Sequence, residues 1–377
     1  LIKINQHGEY VLIAEEKFDI VILGLTITSS WGNGHATTYR ALIKELSKMG
    51  HSVLFLEQDM PWYGKHRDFI TLPYVNVKLY ANYEDLKQNY THVIRFAELV
   101  IIGSYVPDGI SVVNWVLNTA KGIKAFYDID TPQTLKALSS GECFYLNAQQ
   151  IPQFDLYLSF SGGGMIRILE HVWGAKCARI LYCSVDPDFY FPGNNDKKYS
   201  LGYMGTYSKD RENCMKKILL EPAIELKEHK FIIAGPQYPD AHLWASNITH
   251  IEHISPLLHR NFYCSMEFTL NITRTAMANS GYSPSVRLFE AAACGTPIIS
   301  DYWDGLNEIF EIGKEILISR SKDETKEIIC TLSQNEKAQI GLSARKKVMQ
   351  YHTAHHRVNE LLEYVRECKN SLKKIYD

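Results

Sequence analysis

Short apolar, β-branched runs alternate with amphipathic stretches along the first half of the chain. The runs are FDIVILGL (18–25), HSVLFLE (51–57), ELVIIGSYV (98–106), IKAFYDID (123–130) and DLYLSF (155–160). Between the first two, HATTYRALIKELSKMG puts Tyr39, Leu42, Ile43 and Leu46 on one helical face and Gly50 at the position of a C-terminal cap. Strands apolar on both faces and alternating with helices predict a doubly wound parallel sheet. The pattern breaks at DPDFYFPGNNDKKYS (186–200), which is rich in proline, glycine, asparagine and charge and reads as a linker, with the DPD as a turn. It then restarts with LGYMGTY (201–207), a helix through 210–220, KFIIAGP (230–236), ITHIEHI (248–254), MEFTLNIT (266–273), TPIISD (296–301) and EILISR (315–320). The segment from Asn335 onward reads as two or three helices without strands. The fold class is therefore α/β, with two Rossmann-like doubly wound domains facing a cleft, the crevice where such sheets bind ligands.

Length supports the division, since 377 residues exceed what one core ordinarily sustains. Forty basic against 42 acidic side chains give a net charge of −2, so no global field draws the chain to duplex DNA or an anionic membrane. Eight cysteines are scattered without a CxxC pair, several inside apolar runs, and read as buried free thiols of a reducing compartment. No apolar run approaches about 20 residues and no signal peptide is present, so a soluble, cytoplasmic protein is expected. The chain begins at Leu1 rather than methionine, as a trimmed or partial chain would.

Candidate chemistry clusters at strand ends. SSWGNGHATTYRALIKEL joins the first strand to the first helix. Gly32 and Gly34 allow close backbone approach to a ligand at a helix start, with a plain tight turn as the competing reading. The spacing is no dinucleotide fingerprint, because the third glycine and a ribose-holding acid are missing. His35, at that helix start, is the candidate catalytic histidine. FYDIDTP (126–132) closes a strand with Asp128 and Asp130, two apart and so expected on one side of the pleat, before a helix begun by Thr131 and Pro132. A D-x-D can hold a divalent metal with a diphosphate, or act as an acid/base or acceptor-binding group; the strand-end position favours the second, and no metal is assigned. SFSGGGMIRILE (159–170) supplies another glycine-rich turn, with Gly162 and Gly163 as candidate acceptor-side positions.

In GTYSKDR, Thr206, Ser208, Lys209 and Arg211 gather backbone donors and two cations, which suit a diphosphate; a solvated helix start is the alternative, although its cations oppose the helix dipole. FTLNITR ends a strand with Asn271, Thr273 and Arg274. In GYSPSVRLFEAAACGTPIIS (281–300), Ser283 is expected to cap a helix, Pro284 to open it, and Gly295 and Pro297 to end it. Glu290 then sits among apolar residues on a face with Ser283, Arg287 and Cys294. A buried carboxylate is costly without a partner. An Arg287–Glu290 pair would supply only about 0.2–0.5 kcal/mol, whereas two ribose hydroxyls would use the carboxylate fully.

These segments resemble GT-B glycosyltransferases of the glycosyl transferases group 1 superfamily, and GTYSKDR, AGPQYP, FTLNITR and GYSPSVRLFEAAACG resemble its CgeB-like branch. The resemblance is strongest over residues 200–320 and extends loosely to PWYGKHRD, GSYVPDG, YDIDTP and SFSGG. It implies an acceptor-side domain over 1–185, a donor domain over 186–350 and C-terminal helix from 351 to 377 packing back on the first domain. It also implies metal-independent transfer from a nucleotide diphosphate sugar, with UDP expected, to a hydroxyl acceptor, and no further cofactor. Glu290 would hold the ribose; Arg211 and Lys209 would meet the diphosphate, with Thr206, Arg274, Tyr282, Ser283 and Ser285 completing the donor side. Pro284 removes one amide there, leaving Ser283 and Ser285 to compensate. The retaining members carry a glutamate where this chain has Tyr282, which leaves His35, Asp128 and Asp130 as base candidates. A UDP-sugar epimerase, a hydrolase or a non-catalytic sugar-nucleotide-binding protein would share the fold. The acceptor remains open among glycan, protein, small molecule and modified nucleobase, with no basic stripe arguing for nucleic acid.

Overall fold

The computed structural model describes residues 2–4, 10–12, 17–239 and 244–376. After a short antiparallel hairpin, β1 (Ile2–Ile4) and β2 (Tyr10–Leu12), come seven parallel strands: β3 (Ile20–Leu23), β4 (Val53–Gln58), β5 (Asn76–Tyr80), β6 (Leu99–Gly103), β7 (Ile123–Asp128), β8 (Leu156–Ser159) and β9 (Ala178–Ile180). Their order is β5-β4-β3-β6-β7-β8-β9. The second sheet holds β10 (Tyr199–Met204), β11 (Phe231–Ala234), β12 (Ile248–Ile251), β13 (Met266–Asn271), β14 (Ile298–Ser300) and β15 (Leu317–Ile318), in the order β12-β11-β10-β13-β14-β15. Both sheets reverse direction of winding beside their first strand, between β3 and β6 and between β10 and β13. Loops diverge there and leave a crevice at the carboxyl ends of the strands.

The central strands are buried on both faces, as the continuous apolar runs require: Val21, Ile22, Leu23, Val100 and Ile101 are fully enclosed. Of the seven parallel strands of the first sheet, the two absent from the sequence expectation, β5 and β9, are its edges. β5 exposes Lys78 and Leu79 to solvent, and an edge strand need not be apolar on both sides.

Two expectations change in detail. The helix predicted over 210–220 begins as a 3₁₀ turn, Lys209–Arg211, continues as Glu212–Met215, widens into a π segment over Lys216–Leu220, and resumes at Glu221–Glu225. Pro222 has no N–H to give to residue 218 and its ring would crowd that carbonyl, so the preceding turn opens. The helix expected to be capped by Ser283 instead runs Val286–Ala293, with Ser285 at the cap position. Pro284 disfavours helical backbone at Ser283, which stays outside and donates to Gly281 O at 2.8 Å. Gly295 (φ +72°) ends this helix in the left-handed region, its N–H bonded to Ala292 O at 2.9 Å.

The chain passes between the two sheets twice, side by side. Val185 bridges Thr353, and the N–H of Ala354 donates to Val185 O at 2.9 Å. The terminal helix, Ala354–Tyr376, contacts β7, β8 and the helix His35–Lys48. The DPD turn is tied to that same helix, Asp186 by Lys44 and Asp188 by Lys48, each at 2.7 Å. All eight cysteines are free; Cys183, Cys264, Cys294 and Cys368 are buried, while Cys330 is exposed, contrary to the expectation of burial. Among the described residues no helix is long and apolar enough to cross a membrane.

Candidate functional site

A cleft of about 590 Å³ lies where the carboxyl ends of the two sheets face each other. Its first wall begins with Glu57, a fully buried carboxylate near the end of β4. Glu57 accepts from Thr26 Oγ1 (3.0 Å), Ile27 N (2.7 Å), Thr28 N (3.0 Å) and Thr28 Oγ1 (2.6 Å), which fixes the loop after β3. Asp68 holds the next residues, accepting from Ser30 N at 2.5 Å and Arg40 Nη2 at 3.0 Å. Burial alone would raise the Asp68 pKa, but the close approach of His253, the hydrogen bond from Ser30 N and the charge of Arg40 outweigh it and hold the group at about 2. The other oxygen, Oδ1, lies 3.6 Å from Nε2 of His253, which belongs to the second wall.

That loop carries Ser30, Gly32, Gly34 and His35 to the cleft. Gly32 has φ +70°, where a side chain would be strained. His35 opens the helix His35–Lys48 and is buried; burial pushes its pKa below the ordinary histidine value, against the pull of Asp130, so the imidazole is neutral near pH 7. Its Nε2 stands 4.0 Å from Asp130 Oδ2, and the ring meets Tyr105 edge-on at 5.5 Å. Tyr105 follows β6 with φ +65° and lines the same wall.

The two aspartates part company. Asp130 lines the cleft, but Asp128 is fully buried and outside the lining, accepting from Thr134 Oγ1 at 2.6 Å and Tyr157 Oη at 2.7 Å. Strand geometry ends at Asp128, and Asp130 already sits at the cap position of the helix Thr131–Ser140, so the two-residue pleat does not apply to the pair. Asp128 is thus corrected from a cleft candidate to an interior group. Desolvation raises its pKa to about 7.

The second wall is built from the loops after β10, β11, β12 and β13 and from the helix Val286–Ala293. Thr206, Arg211, Arg274, Ser285, Arg287 and Glu290 all line it. Arg211 Nη1 donates to Tyr203 Oη (3.0 Å) and Thr206 O (3.4 Å), while Arg274 Nε lies 3.7 Å from Asp210 Oδ2. Ser285 Oγ and Arg287 Nη1 both reach Asn271 Oδ1, at 2.8 and 3.0 Å. Arg287 therefore does not pair with Glu290. Glu290 Oε2 accepts instead from Tyr263 Oη at 2.8 Å, and His259 is set nearby by Tyr190 at 3.2 Å and by Ile254 O at 3.1 Å.

Other predicted positions lie off the cleft. Lys209 is exposed and outside the lining. Gly162, Gly163, Tyr282 and Ser283 form a contact between the two domains. Gly162 N donates to Tyr282 O at 2.9 Å, Ser161 Oγ and Ser283 Oγ are 2.6 Å apart, and a Cβ on Gly163 would come within 2.4 Å of the Tyr282 ring. Gly163 admits the neighbouring domain, whereas Gly162 makes room for Tyr182 of its own domain, and Tyr282 (φ +49°) turns its hydroxyl to Glu308 at 3.1 Å. Ser30, Tyr63, Tyr105, His253, His259 and Tyr263 also line the cleft, outside the sequence expectation. Several follow a strand's carboxyl end within a few residues, as Tyr105 in GSYVPDG and His253 in ITHIEHI do, which was the available signal.

Residues 211–363 match the family described as "Glycosyl transferase-like". No curated protein matches the chain in sequence. Among solved structures, sucrose-phosphate synthase from Thermosynechococcus elongatus aligns with a TM-score of 0.67 at 12% identity, over 94% of this chain and 100% of that one. Anabaena HepE in complex with UDP and glucose aligns at 0.67 and 12% identity, over 93% and 99%. An alpha-glucosyltransferase in complex with UDP and a 13-mer DNA containing an HMU base aligns at 0.71 and 13% identity, over 93% and 99%. At such identities the likeness is one of fold, and the chain has the GT-B fold.

Proposed function

We propose that this chain is a glycosyltransferase, of the CgeB-like kind its motifs resemble, that moves a sugar from a UDP-sugar to a hydroxyl acceptor. One observation carries the proposal. Four cleft-lining residues keep buried side-chain polar atoms without a hydrogen-bond partner: Ser30 Oγ and His35 Nδ1 on one wall, Arg211 Nε and Arg274 Nε on the other. Each such group costs about 1–3 kcal/mol while unpaired, a cost that a ligand can remove. Two guanidinium donors on one wall suit an anion, and a hydroxyl and an imidazole together on the other suit an alcohol. The glycosyl transferase-like match over 211–363 and the UDP complexes of the structural neighbours support a sugar nucleotide as that anion.

In this reading the diphosphate lies against Arg211, Arg274 and Thr206, with Ser285 beside it and the ribose at Glu290. The acceptor hydroxyl approaches from the His35 and Asp130 side. Its oxygen bonds to the sugar's anomeric carbon, its proton passes to His35 or Asp130, and the bond from that carbon to the diphosphate breaks. The charge appearing on the departing diphosphate is met by the two arginines, donors already in place before reaction.

The test is thermal unfolding with UDP, GDP, ADP and dTDP. Ligand at about 100 times its dissociation constant stabilises by about 2.7 kcal/mol, so UDP binding should raise the melting temperature by several degrees in the wild type and far less in Arg211→Ala. The proposal fails if none of the four stabilises the protein, or if Arg211→Ala is stabilised equally.

A further inference from the structure

We propose that Trp31, Trp62 and Tyr63 form a second acceptor subsite, a shelf that receives the apolar face of a sugar ring, so that the acceptor is a neutral glycan at least two residues long. The proposal rests on the glycosyltransferase reading above and assigns its acceptor class.

Tyr63 lines the cleft, as do Ser30 and Gly32 on either side of Trp31. The Trp62 ring meets Tyr63 at 6.0 Å and Trp31 at 5.9 Å, each edge-on, so the aromatic surface continues outward from the cleft wall. Trp62 is 57% exposed. A tryptophan left that open at the mouth of a polar cleft is the kind of apolar face that stacking ligands cover. The shelf is also rigid. Trp31 stacks on His66 at 4.7 Å, Ser29 Oγ donates to His66 O at 2.6 Å, and Asp68 ties the two loops through Ser30 N. The unpartnered hydroxyl of Ser30 adds a polar contact at the inner edge of this aromatic surface.

Two kinds of polymer stack on exposed aromatics, sugars and unpaired nucleobases, and charge separates them. A nucleic acid needs cations for its phosphates. Over residues 59–70 the fixed charges are Asp59, Asp68, Lys65 and Arg67, two of each sign, and they cancel. Arg67 is bound by Asp59, which leaves Lys65 as the cation of that segment that no ion pair engages among the described residues. A pyranose ring instead presents C–H groups to the indole and hydroxyls at its rim, and requires no cation.

The experiment titrates the UDP-saturated protein with cellohexaose, maltohexaose, chitohexaose and the hexanucleotide dT6, following tryptophan emission, with thermal shift by UDP as the control on folding. One of the three saccharides should bind and change the emission. Trp62→Ala should weaken that binding about tenfold, the scale of one aromatic stack, and Trp62→Phe should restore part of it. The shelf is overturned if UDP stabilises the protein and no saccharide binds, if Trp62→Ala binds the saccharide as well as wild type, or if dT6 alone binds. If UDP itself fails to bind, the glycosyltransferase reading falls and takes the shelf with it.

Discussion

Tyr263 donates its hydroxyl proton to Glu290 across 2.8 Å, and both groups are buried. The carboxylate that looked anomalous within LFEAAACG is thus compensated inside the protein before any ligand arrives. Arg287, three residues earlier on the same helix, is occupied elsewhere, by Met204 O and Asn271 Oδ1. Glu290 lines the cleft while held by Tyr263, which fixes its rotamer and leaves it acceptor capacity for a ligand.

Substitution at this pair should separate folding from binding. Glu290→Ala strands a fully buried hydroxyl and should cost about 1–3 kcal/mol of stability. Glu290→Gln keeps an oxygen for Tyr263, so its melting temperature should stay near wild type. The lost charge should still weaken UDP about tenfold, the worth of a charge-assisted hydrogen bond. Calorimetric titration with UDP decides it, and equal affinity in Glu290→Gln would remove the ribose role.

The base candidates are distinguished by position. Asp130→Asn and His35→Gln should each lower kcat by about 10²–10⁴, the range of general-base catalysis. Asp128→Asn should leave kcat within a few-fold, since Asp128 is enclosed by Thr134 and Tyr157. Burial depresses the His35 pKa, so the imidazole loses its base function only at pH values below the ordinary 6.5, and the acid limb of kcat/KM should fall there. A limb that survives unchanged in His35→Gln would assign it to another group.

Asp128 should show itself in stability rather than rate. Its folded pKa, about 7, is raised above the ordinary, unfolded value of 3.8. Its contribution is therefore fully present below pH 3.8 and is lost as pH rises through about 7. Between those values wild type should lose stability, on the order of a few kcal/mol from this group, relative to Asp128→Asn. Asp301 is shifted in the same direction, to about 6, and remains in both proteins, so the difference isolates Asp128. Urea unfolding of the two proteins at pH 4, 5.5 and 7 measures it; a constant difference would contradict the burial.

The layered fold was legible because β3, β4, β6, β7 and β8 and the strands of the second sheet are apolar runs between helices, which periodicity reads directly. β5 and β9 escaped because edges are released from that requirement. Arg211, Arg274, Glu290 and His35 all line the cleft, and their position was legible because each is a polar group at the end of a buried strand or within or at the start of a buried helix. Asp128 and Ser283 have the same sequence appearance and face inward, and local spacing cannot tell an inward partner such as Tyr157, 29 residues away, from a ligand. Gly162 and Gly163 lie off the cleft for a related reason: glycine reports close approach, not what approaches. Asp68 and His253 were invisible, since they meet only once both domains are folded.

That last contact gives the final prediction. Asp68 is bound on one side by Arg40, in the same domain, and faces His253 across the cleft. Asp68→Asn leaves the buried guanidinium of Arg40 without its counter-ion and should destabilise by about 3 kcal/mol. His253→Ala cuts only the cross-cleft contact. The His253 side chain is 33% exposed, so its removal should cost less than about 1 kcal/mol. Its effect should lie in geometry, because the nucleotide-free protein loses a link that holds the walls together. Asp68, with its pKa lowered to about 2, adds stability that is present above 3.8 and lost only as pH falls through about 2, so it stays charged throughout the neutral range. Small-angle scattering without nucleotide at pH 7 should therefore give a larger radius of gyration for His253→Ala than for wild type at nearly equal melting temperature. An unchanged radius would mean that the other links between the domains, the crossings at Val185 and Thr353 and the contact of Ser161 and Gly162 with Tyr282 and Ser283, set the domain angle without help from Asp68 and His253.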